Sequence, residues 1–159
     1  EESKRLSRLI RAFASAYQKN RRIRLWIIGD GKDRDLCRNL INELQMEGII
    51  RMLGKKENPY PYIKNADCVL LTSDYEGYPV IYSECLILQT PLITTIPVSD
   101  GFVDIREYAK VTDKSERAVA DAINNTDLRI YRENKIDFET INLKKLESLE
   151  KIINCDQEE

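Results

Sequence analysis

The chain has 159 residues, of which 42% are hydrophobic and 33% charged, and it carries a formal net charge of −2. This composition is typical of one globular domain with its own core, and the slightly negative charge argues against nucleic acid as a partner. Because the chain contains no histidine, it cannot hold a histidine general base or a histidine metal site, and no apolar run is long enough to span a membrane.

In chain order, the apolar spacing predicts helices that alternate with short buried strands. Helices are expected from Ser3 to the polar break at 20–22, from the turn at 29–31 to Gly48, and over 59–65, 79–88 and 115–124. Strands are expected over 23–28, 49–53, 67–72, 92–96 and 108–111. This alternation predicts an α/β fold, a doubly wound parallel sheet with helices on both faces. The residues expected to face inward from the helices include Leu6, Leu9, Ile10, Phe13, Tyr17, Leu36, Cys37, Leu40, Leu44, Val119, Ala120 and Ile123.

The cysteines lie outside any C-x-x-C pair, and three of them sit among core-like residues. We therefore expect free thiols that pack as small hydrophobic groups in a reducing compartment, which predicts a cytoplasmic location. The chain begins inside a helical pattern and without Met, so we expect it to be a fragment of a longer protein. The cysteines are Cys37, Cys68, Cys85 and Cys155.

Residues 73–84 carry the most informative pattern in the chain. They follow the predicted strand over 67–72 and lead into the predicted helix over 79–88. Pro79 suits a first helical turn, where its missing N–H has no partner to lose. Glu76 and Gly77 are therefore expected in a loop that joins a strand to a helix, which is where ligands bind in open α/β sheets.

Glu84 is an unusual residue for its position on this helix. On a helical wheel it falls within the apolar stripe, whereas Tyr82, Ser83 and Gln89 take the opposite side. A carboxylate that points inward is costly unless something bonds to it. Glu84 could cap a backbone group or pair with an arginine, but with Glu76 in the loop above it a polar ligand is the better explanation. The apolar stripe is formed by Ile81, Cys85 and Leu88.

These residues resemble a known family. Glu76, seven further residues and then Glu84 resemble the E-x7-E signature of retaining GT-B glycosyltransferases. The flanks are most similar to the E-G-F-P-x-x-x-x-E-A pattern of glycosyltransferase family 4. Cys85 stands where that family usually has Ala, and Gln89 stands where it usually has the Gly that favours a left-handed helix end.

The start of the chain resembles the same family. Residues 4–13, KRLSRLIRAF, are similar to the family pattern K-G-x-x-x-L-I-x-A-F, and Lys4 stands at the lysine that binds the donor diphosphate. Arg5 replaces the usual Gly, and the arginine that accompanies the lysine in the family would precede residue 1. The region 94–105 departs most from the family pattern.

The resemblance implies the donor-binding, C-terminal half of a GT-B enzyme, with a Rossmann-like sheet. The implied reaction transfers a hexose from a nucleotide-diphosphate sugar to an acceptor, keeps the anomeric configuration, and needs no metal or other cofactor. The implied catalytic residues are Glu76 and Lys4, and the implied donor-binding residues are Glu84, Gly77, Tyr78, Pro79, Val80, Gly29, Gly31, Gly54 and Lys55.

Elementary chemistry is consistent with these roles. A leaving diphosphate gains negative charge, which the free N–H groups and dipole of a helix that starts at Pro79 and Val80 can stabilise. Lys4 would add a cation. Glu76 would hold the sugar hydroxyls or stabilise positive charge at the anomeric carbon. Glu84 would bind the two ribose hydroxyls, because a diol offers two donors to the two carboxylate oxygens.

Structural interpretations of several of these residues stay open. Lys4 can be an exposed lysine in a first helical turn, since lysine is mostly exposed. The turn at 29–31 can be a plain strand-to-helix connection, although in the family such a turn forms part of the nucleotide cleft wall. Gly54 and Lys55 can belong to an exposed basic loop, whereas in the family the backbone there meets the base.

The chain, 1–159, is expected to be one domain with a helical tail over 137–159. The resemblance implies that the first strand, which lies in the middle of the sheet, and the acceptor domain are outside it, so the fragment alone should be inactive. The expected partners are a nucleotide sugar and a saccharide or lipid-linked acceptor. The family's common roles point to cell-surface polysaccharide or glycolipid synthesis in the cytoplasm, with membrane association at its inner face through the missing half.

Other functions are alternatives to this one. The main alternative is a catalytically degenerate domain that binds a nucleotide sugar or a partner as a scaffold. A glycoside hydrolase would need a second acid across a cleft, which the sequence does not place. A sugar-nucleotide epimerase would be expected to need histidines, and a signalling receiver would need acids clustered at strand ends.

Overall fold

The structure, a computed structural model, describes residues 2–75, 79–99 and 103–155, with side chains over 5–75, 79–99 and 103–147. Within these ranges the predicted alternation of helices and strands is confirmed. The helix over 128–133 was not predicted. The helices are α1 (Glu2–Lys19), α2 (Arg34–Glu43), α3 (Tyr60–Asn65), α4 (Val80–Leu88), α5 (Glu116–Asn125), α6 (Leu128–Glu133) and α7 (Phe138–Cys155). The strands are β1 (Leu25–Ile28), β2 (Ile50–Gly54), β3 (Val69–Leu71), β4 (Leu92–Thr94) and β5 (Lys110–Val111).

The strands are parallel, as predicted, but the described strands form two sheets instead of one. β1 pairs with β2 in the first sheet, and β3, β4 and β5 lie in that order in the second. Parallel neighbours require a long crossover between them, which the helices supply. The α/β class is therefore confirmed, whereas the expectation of a single continuous sheet is wrong for the described strands.

Hydrophobic clusters cover both faces of β3. Leu70 packs against a core cluster built mainly from α1, α2 and α5, whereas Val69 and Leu71 pack against a second cluster. Because successive side chains of a strand point to opposite faces, the two clusters lie on opposite sides of β3. The first cluster includes Ile10, Phe13, Cys37, Leu40, Val119 and Ala120, and the second includes Ile63, Tyr82, Cys85, Leu92 and Ile105.

The predicted face and end of α2 need correction. Leu36 was expected to point inward, but its relative exposure is 54%. The buried stripe of α2 is formed by Cys37, Leu40 and Ile41. The helix ends at Glu43 and not at Gly48. Gln45 has a φ of 55°, and a residue in this left-handed region cannot continue a right-handed helix.

Tyr82 was expected on the outer side of α4, and this expectation is wrong, because the residue is fully buried. Its hydroxyl lies 2.6 Å from Thr94 Oγ1 and donates to the Ile96 carbonyl oxygen at 2.8 Å. A tyrosine can be buried when its hydroxyl finds such partners. These bonds attach α4 to the end of β4. Their partners lie 12 and 14 positions further along the chain, so the apolar spacing within the helix could not predict them.

We expect Tyr82→Phe to lower the free energy of unfolding by about 1–2 kcal/mol, because it removes both buried hydrogen bonds of the Tyr82 hydroxyl. Urea denaturation measures this loss. Tyr60→Phe is the matched control, since Tyr60 is 51% exposed, and it should change the free energy by less than about 0.5 kcal/mol. Equal effects in the two variants would show that the Tyr82 hydroxyl does not hold α4 in place.

Candidate functional site

The ends of β3, β4 and β5 meet at one edge of the second sheet. Thr95 follows β4, and its backbone N–H donates to the Leu71 carbonyl at 3.1 Å, while its hydroxyl donates to the Ser73 carbonyl at 2.7 Å. Thr112 follows β5 and donates from its backbone N–H to the Thr94 carbonyl at 2.9 Å. Polar groups that are buried, as Ser73 and Thr95 are, need such partners. This edge is therefore a rigid platform at the carboxyl ends of the strands, the position at which open α/β sheets bind ligands.

The first half of α1 reaches the same edge through Arg8. The guanidinium Nη2 donates to the Thr72 carbonyl at 2.7 Å and to Asp74 Oδ1 at 2.6 Å. The Thr72 hydroxyl in turn donates to the Arg5 carbonyl at 3.4 Å. These contacts join α1 to the exit of β3, directly before Glu76 in the sequence.

Asp74 is surrounded by three cationic side chains. Arg8 is hydrogen bonded to its carboxylate, Arg5 Nε lies 3.7 Å from Oδ2, and Lys114 Nζ donates to its backbone carbonyl at 2.6 Å. The hydrogen bond from Arg8 is the largest cause that holds the pKa of Asp74 below its ordinary value, and the charges of Arg8, Lys114 and Arg5 add to it. We call Asp74, Arg5, Arg8 and Lys114 the Asp74 cluster. The sequence interpretation missed it, although Arg5 and Arg8, three residues apart, share one face of α1.

The start of α4 agrees with the predicted helix start. Val80 is the first helical residue, and Pro79 is the N-cap, with an extended backbone at φ −64° and ψ 132°. Pro79 therefore lies one position before the first turn in which it was expected. No side chain caps this helix start among the described residues, so backbone N–H groups of its first turn remain able to bind an anion.

Glu84 lies in the middle of α4 and is half-buried. In the described part of the chain, no hydrogen bond or ion pair to its carboxylate is found, so the structure shows no arginine or backbone partner for it there. Burial is the largest cause that raises the pKa of the neighbouring Cys85 thiol to about 12, and the charges of Cys68 and Glu84 also raise it. The carboxylate of this half-buried residue is able to accept hydrogen bonds from a ligand with hydroxyl groups.

The glycines predicted in the donor site lie at the ends of β1 and β2. Gly29 has a φ of 129° and Gly54 a φ of 69°, values that favour glycine. The Gly29 N–H donates to the Gly54 carbonyl at 3.0 Å, which brings the two loops side by side, and Lys55 follows as an exposed residue. The Gly31 N–H donates to Asp30 Oδ1 at 3.0 Å. Both glycine N–H groups are thus engaged within the protein, as in a plain strand-to-helix turn.

Part of the predicted site lies outside the described residues. This holds for Glu76, Gly77 and Tyr78, and for the side chain of Lys4, whose backbone belongs to the first turn of α1. Pro79, Val80 and Glu84 share α4, and Gly29, Gly31, Gly54 and Lys55 share the loops after β1 and β2.

The described residues contain no group of three or more histidine, cysteine, aspartate or glutamate side chains that could hold a metal ion. Over the same residues, no helix combines the length and apolar character needed to cross a bilayer.

We expect Arg8→Met to raise the pKa of Asp74 toward its ordinary value, because the hydrogen bond from Arg8 is the largest cause of the lowering. Carbon NMR titration of the carboxyl groups measures this shift. Asp127 is the control, since Arg129 lowers the pKa of that carboxyl and it should not respond. An unchanged titration of Asp74 in Arg8→Met would contradict the described contact.

The same variant should change the dependence of stability on pH. The folded-state pKa of Asp74 lies below the unfolded-state value of about 3.9, so its stabilising contribution is complete above that pH. It is lost as the pH falls through the folded-state pKa. When the pH falls from about 3.9 to more acidic values, Arg8→Met should therefore lose less stability than the unmodified protein.

Solved structures share this fold. A TarM variant of S. aureus, solved in complex with fondaparinux, alpha-GlcNAc-glycerol and UDP, is 24% identical, has a TM-score of 0.72, and matches over 91% of this chain and 32% of its own. At this identity the likeness concerns the fold, and the expected GT-B-type α/β fold is confirmed.

This chain is also similar in sequence to known glycosyltransferases and to a family pattern. An uncharacterized glycosyltransferase of Methanocaldococcus jannaschii is 34% identical over 87 residues, 55% of this chain and 21% of the relative. The lipopolysaccharide core biosynthesis glycosyltransferase LpsE of Rhizobium meliloti is 28% identical over 71 residues, 45% of this chain and 21% of the relative. The matches thus span about a fifth of these relatives. The sequence pattern of the glycosyl transferases group 1 family matches residues 1–126, most of the chain. The chain belongs to the glycosyl transferases of group 1.

Proposed function

We propose that this domain binds a nucleotide-diphosphate sugar and forms the donor-binding part of a retaining glycosyltransferase. Its membership of the group 1 family supports transfer of a sugar as the overall reaction. The TarM variant of similar fold was solved with UDP, which supports a nucleotide as the ligand. Assignment to glycosyltransferase family 4 and transfer of a hexose belong to the same proposal.

The observation that carries the proposal is the state of Glu84. Glu84 is a half-buried residue on α4, and its carboxylate has no hydrogen bond or ion pair in the described part of the chain. Two adjacent ribose hydroxyls would donate hydrogen bonds to its two oxygens. The N–H groups at the start of α4, one turn earlier, would then lie on the diphosphate side of the same ligand.

The proposed reaction breaks the bond between the anomeric carbon and the diphosphate oxygen and forms a bond from that carbon to an acceptor oxygen. The leaving diphosphate keeps the bonding electron pair and takes up the proton that the acceptor hydroxyl releases, and its growing negative charge is stabilised by the N–H groups at Val80 and by Lys4. Glu76 holds the sugar hydroxyls or stabilises positive charge at the anomeric carbon. This scheme needs no metal, because the helix start and Lys4 supply the positive charge.

The acceptor and the cellular role extend the same proposal. We infer that the acceptor is a saccharide or a lipid-linked saccharide held by another domain, and that the product belongs to a cell-surface polysaccharide or glycolipid. The relation to a lipopolysaccharide core enzyme supports this class of product. A catalytically degenerate domain that binds a nucleotide sugar as a scaffold is the alternative.

Calorimetric titration with UDP, GDP, ADP and their common sugar derivatives tests the donor site. We expect one nucleotide to bind at micromolar strength. Glu84→Gln should weaken its binding by about 1.5–3 kcal/mol, the range for hydrogen bonds to a charged group. Glu133→Gln, on the exposed end of α6, is the matched control and should bind as the unmodified protein does.

The outcomes separate the alternatives. If no nucleotide binds to the folded protein, the donor-site proposal is wrong and a scaffold role becomes the better explanation. If a nucleotide binds equally well to Glu84→Gln and to the unmodified protein, the assignment of the ribose contact to Glu84 is wrong.

A further inference from the structure

We propose that Arg8 and Lys114 are positioning residues that act through Asp74 and hold residues 73–75 in one conformation, so that Glu76 is presented correctly to the donor sugar. This inference rests on the proposed function, because it uses the sugar contact assigned there to Glu76. It adds residues from α1 and from the loop before α5, which the E-x7-E signature does not contain.

The geometry of the chain after β3 supports the proposal. Three successive backbone carbonyls, those of Thr72, Ser73 and Asp74, each accept a hydrogen bond from the side chain of a different element. The donors are Arg8 on α1 at 2.7 Å, Thr95 after β4 at 2.7 Å and Lys114 before α5 at 2.6 Å. Two of these donors, Arg8 and Lys114, are charged, which strengthens the bonds.

The side chain of Asp74 adds a further anchor to the same segment. Arg8 bonds to its carboxylate at 2.6 Å, and the side chains of Arg8 and Asp74 are 20% and 42% exposed. Arg8 starts from a rigid base, because its neighbours Leu9 and Ile10 are buried in the first core cluster. A guanidinium on a fixed helix can therefore hold the carboxylate, and the backbone attached to it, at a defined place.

The helix α4, which begins at Val80, is held independently of the Asp74 cluster. α4 is attached to the end of β4 by the Tyr82 hydroxyl and is packed through Cys85 into the second core cluster. Loss of the Asp74 cluster should therefore leave α4 and Glu84 in place. The expected defect is selective: contacts to the sugar weaken, whereas contacts to the nucleotide remain.

The test compares the affinity for a nucleoside diphosphate with that for its sugar derivative. The pairs are UDP with UDP-glucose and UDP-GlcNAc, GDP with GDP-mannose, and ADP with ADP-glucose, titrated into the unmodified protein, Arg8→Met, Lys114→Met and Asp74→Asn. We expect the three variants to bind the diphosphate within about twofold of the unmodified protein, and to bind the sugar derivative about tenfold more weakly, because charged hydrogen bonds that hold the loop are lost. Arg8→Lys, which keeps the charge, should recover part of the sugar affinity.

Arg129→Met is a matched arginine control, and Lys114→Met covers the case in which Arg8→Met fails to fold. Arg129→Met removes an arginine that pairs with Asp127 on α6, away from the Asp74 cluster, and should leave both affinities unchanged. Lys114 is exposed, so Lys114→Met should fold even if Arg8→Met does not.

Each outcome decides one question. If the unmodified protein binds none of the pairs, the proposed function fails, and this inference fails with it. If the unmodified protein binds a pair but the variants lose affinity for diphosphate and sugar derivative equally, or for neither, the positioning role is wrong while the donor site stands. A loss confined to the sugar derivative, with partial recovery in Arg8→Lys, supports the inference.

Discussion

The guanidinium of Arg8 joins the helix layer to the edge at which the strands of the second sheet end. Its helix is fixed by burial in the first core cluster, and its hydrogen bonds are made to Thr72 and Asp74 as the chain leaves β3. Thr72 and Ser73 are buried, so leaving their carbonyls without hydrogen-bond partners would cost free energy. The backbone of residues 72–74 is therefore held by side chains from three other elements, and the candidate site begins at these residues.

The parts of the fold that could be predicted are those that local spacing reports. Alternating helices and strands, their parallel arrangement and the start of α4 follow from apolar periodicity and from the position of Pro79. The burial of Tyr82 depends on Thr94 and Ile96, and the Arg8 contact with Asp74 spans 66 positions, so neither leaves a local pattern. The sequence motif for the candidate site indicates Glu84, but it does not contain Arg8, whose contacts with the Thr72 carbonyl and Asp74 depend on the fold.

Gln89 shows that a family motif can mark a backbone conformation that another residue also adopts. It stands where the family usually has Gly, and its φ of 54° is the left-handed value that the glycine would provide. α4 still ends there, with the N–H groups of Gln89 and Thr90 bonded to carbonyls of the last turn. The departure from the motif therefore leaves the helix end intact, and the degenerate-domain alternative gains no support from it. By contrast, Gly29 and Gly31 match the motif while their N–H groups are already bonded within the protein.

The division of the strands into two sheets has a consequence for the behaviour of this polypeptide at high concentration. Among the described strands, β1 and β2 pair only with each other, and β3 and β5 pair only with β4, so each of these four keeps one edge whose backbone N–H and C=O groups have no strand beside them. Such edges are templates on which another polypeptide can add a strand. These strands have between two and five residues, so each added strand would form few hydrogen bonds and each contact between copies would be weak and reversible. Self-association of this kind would rise with concentration, and it would fall if a complementary strand filled those edges.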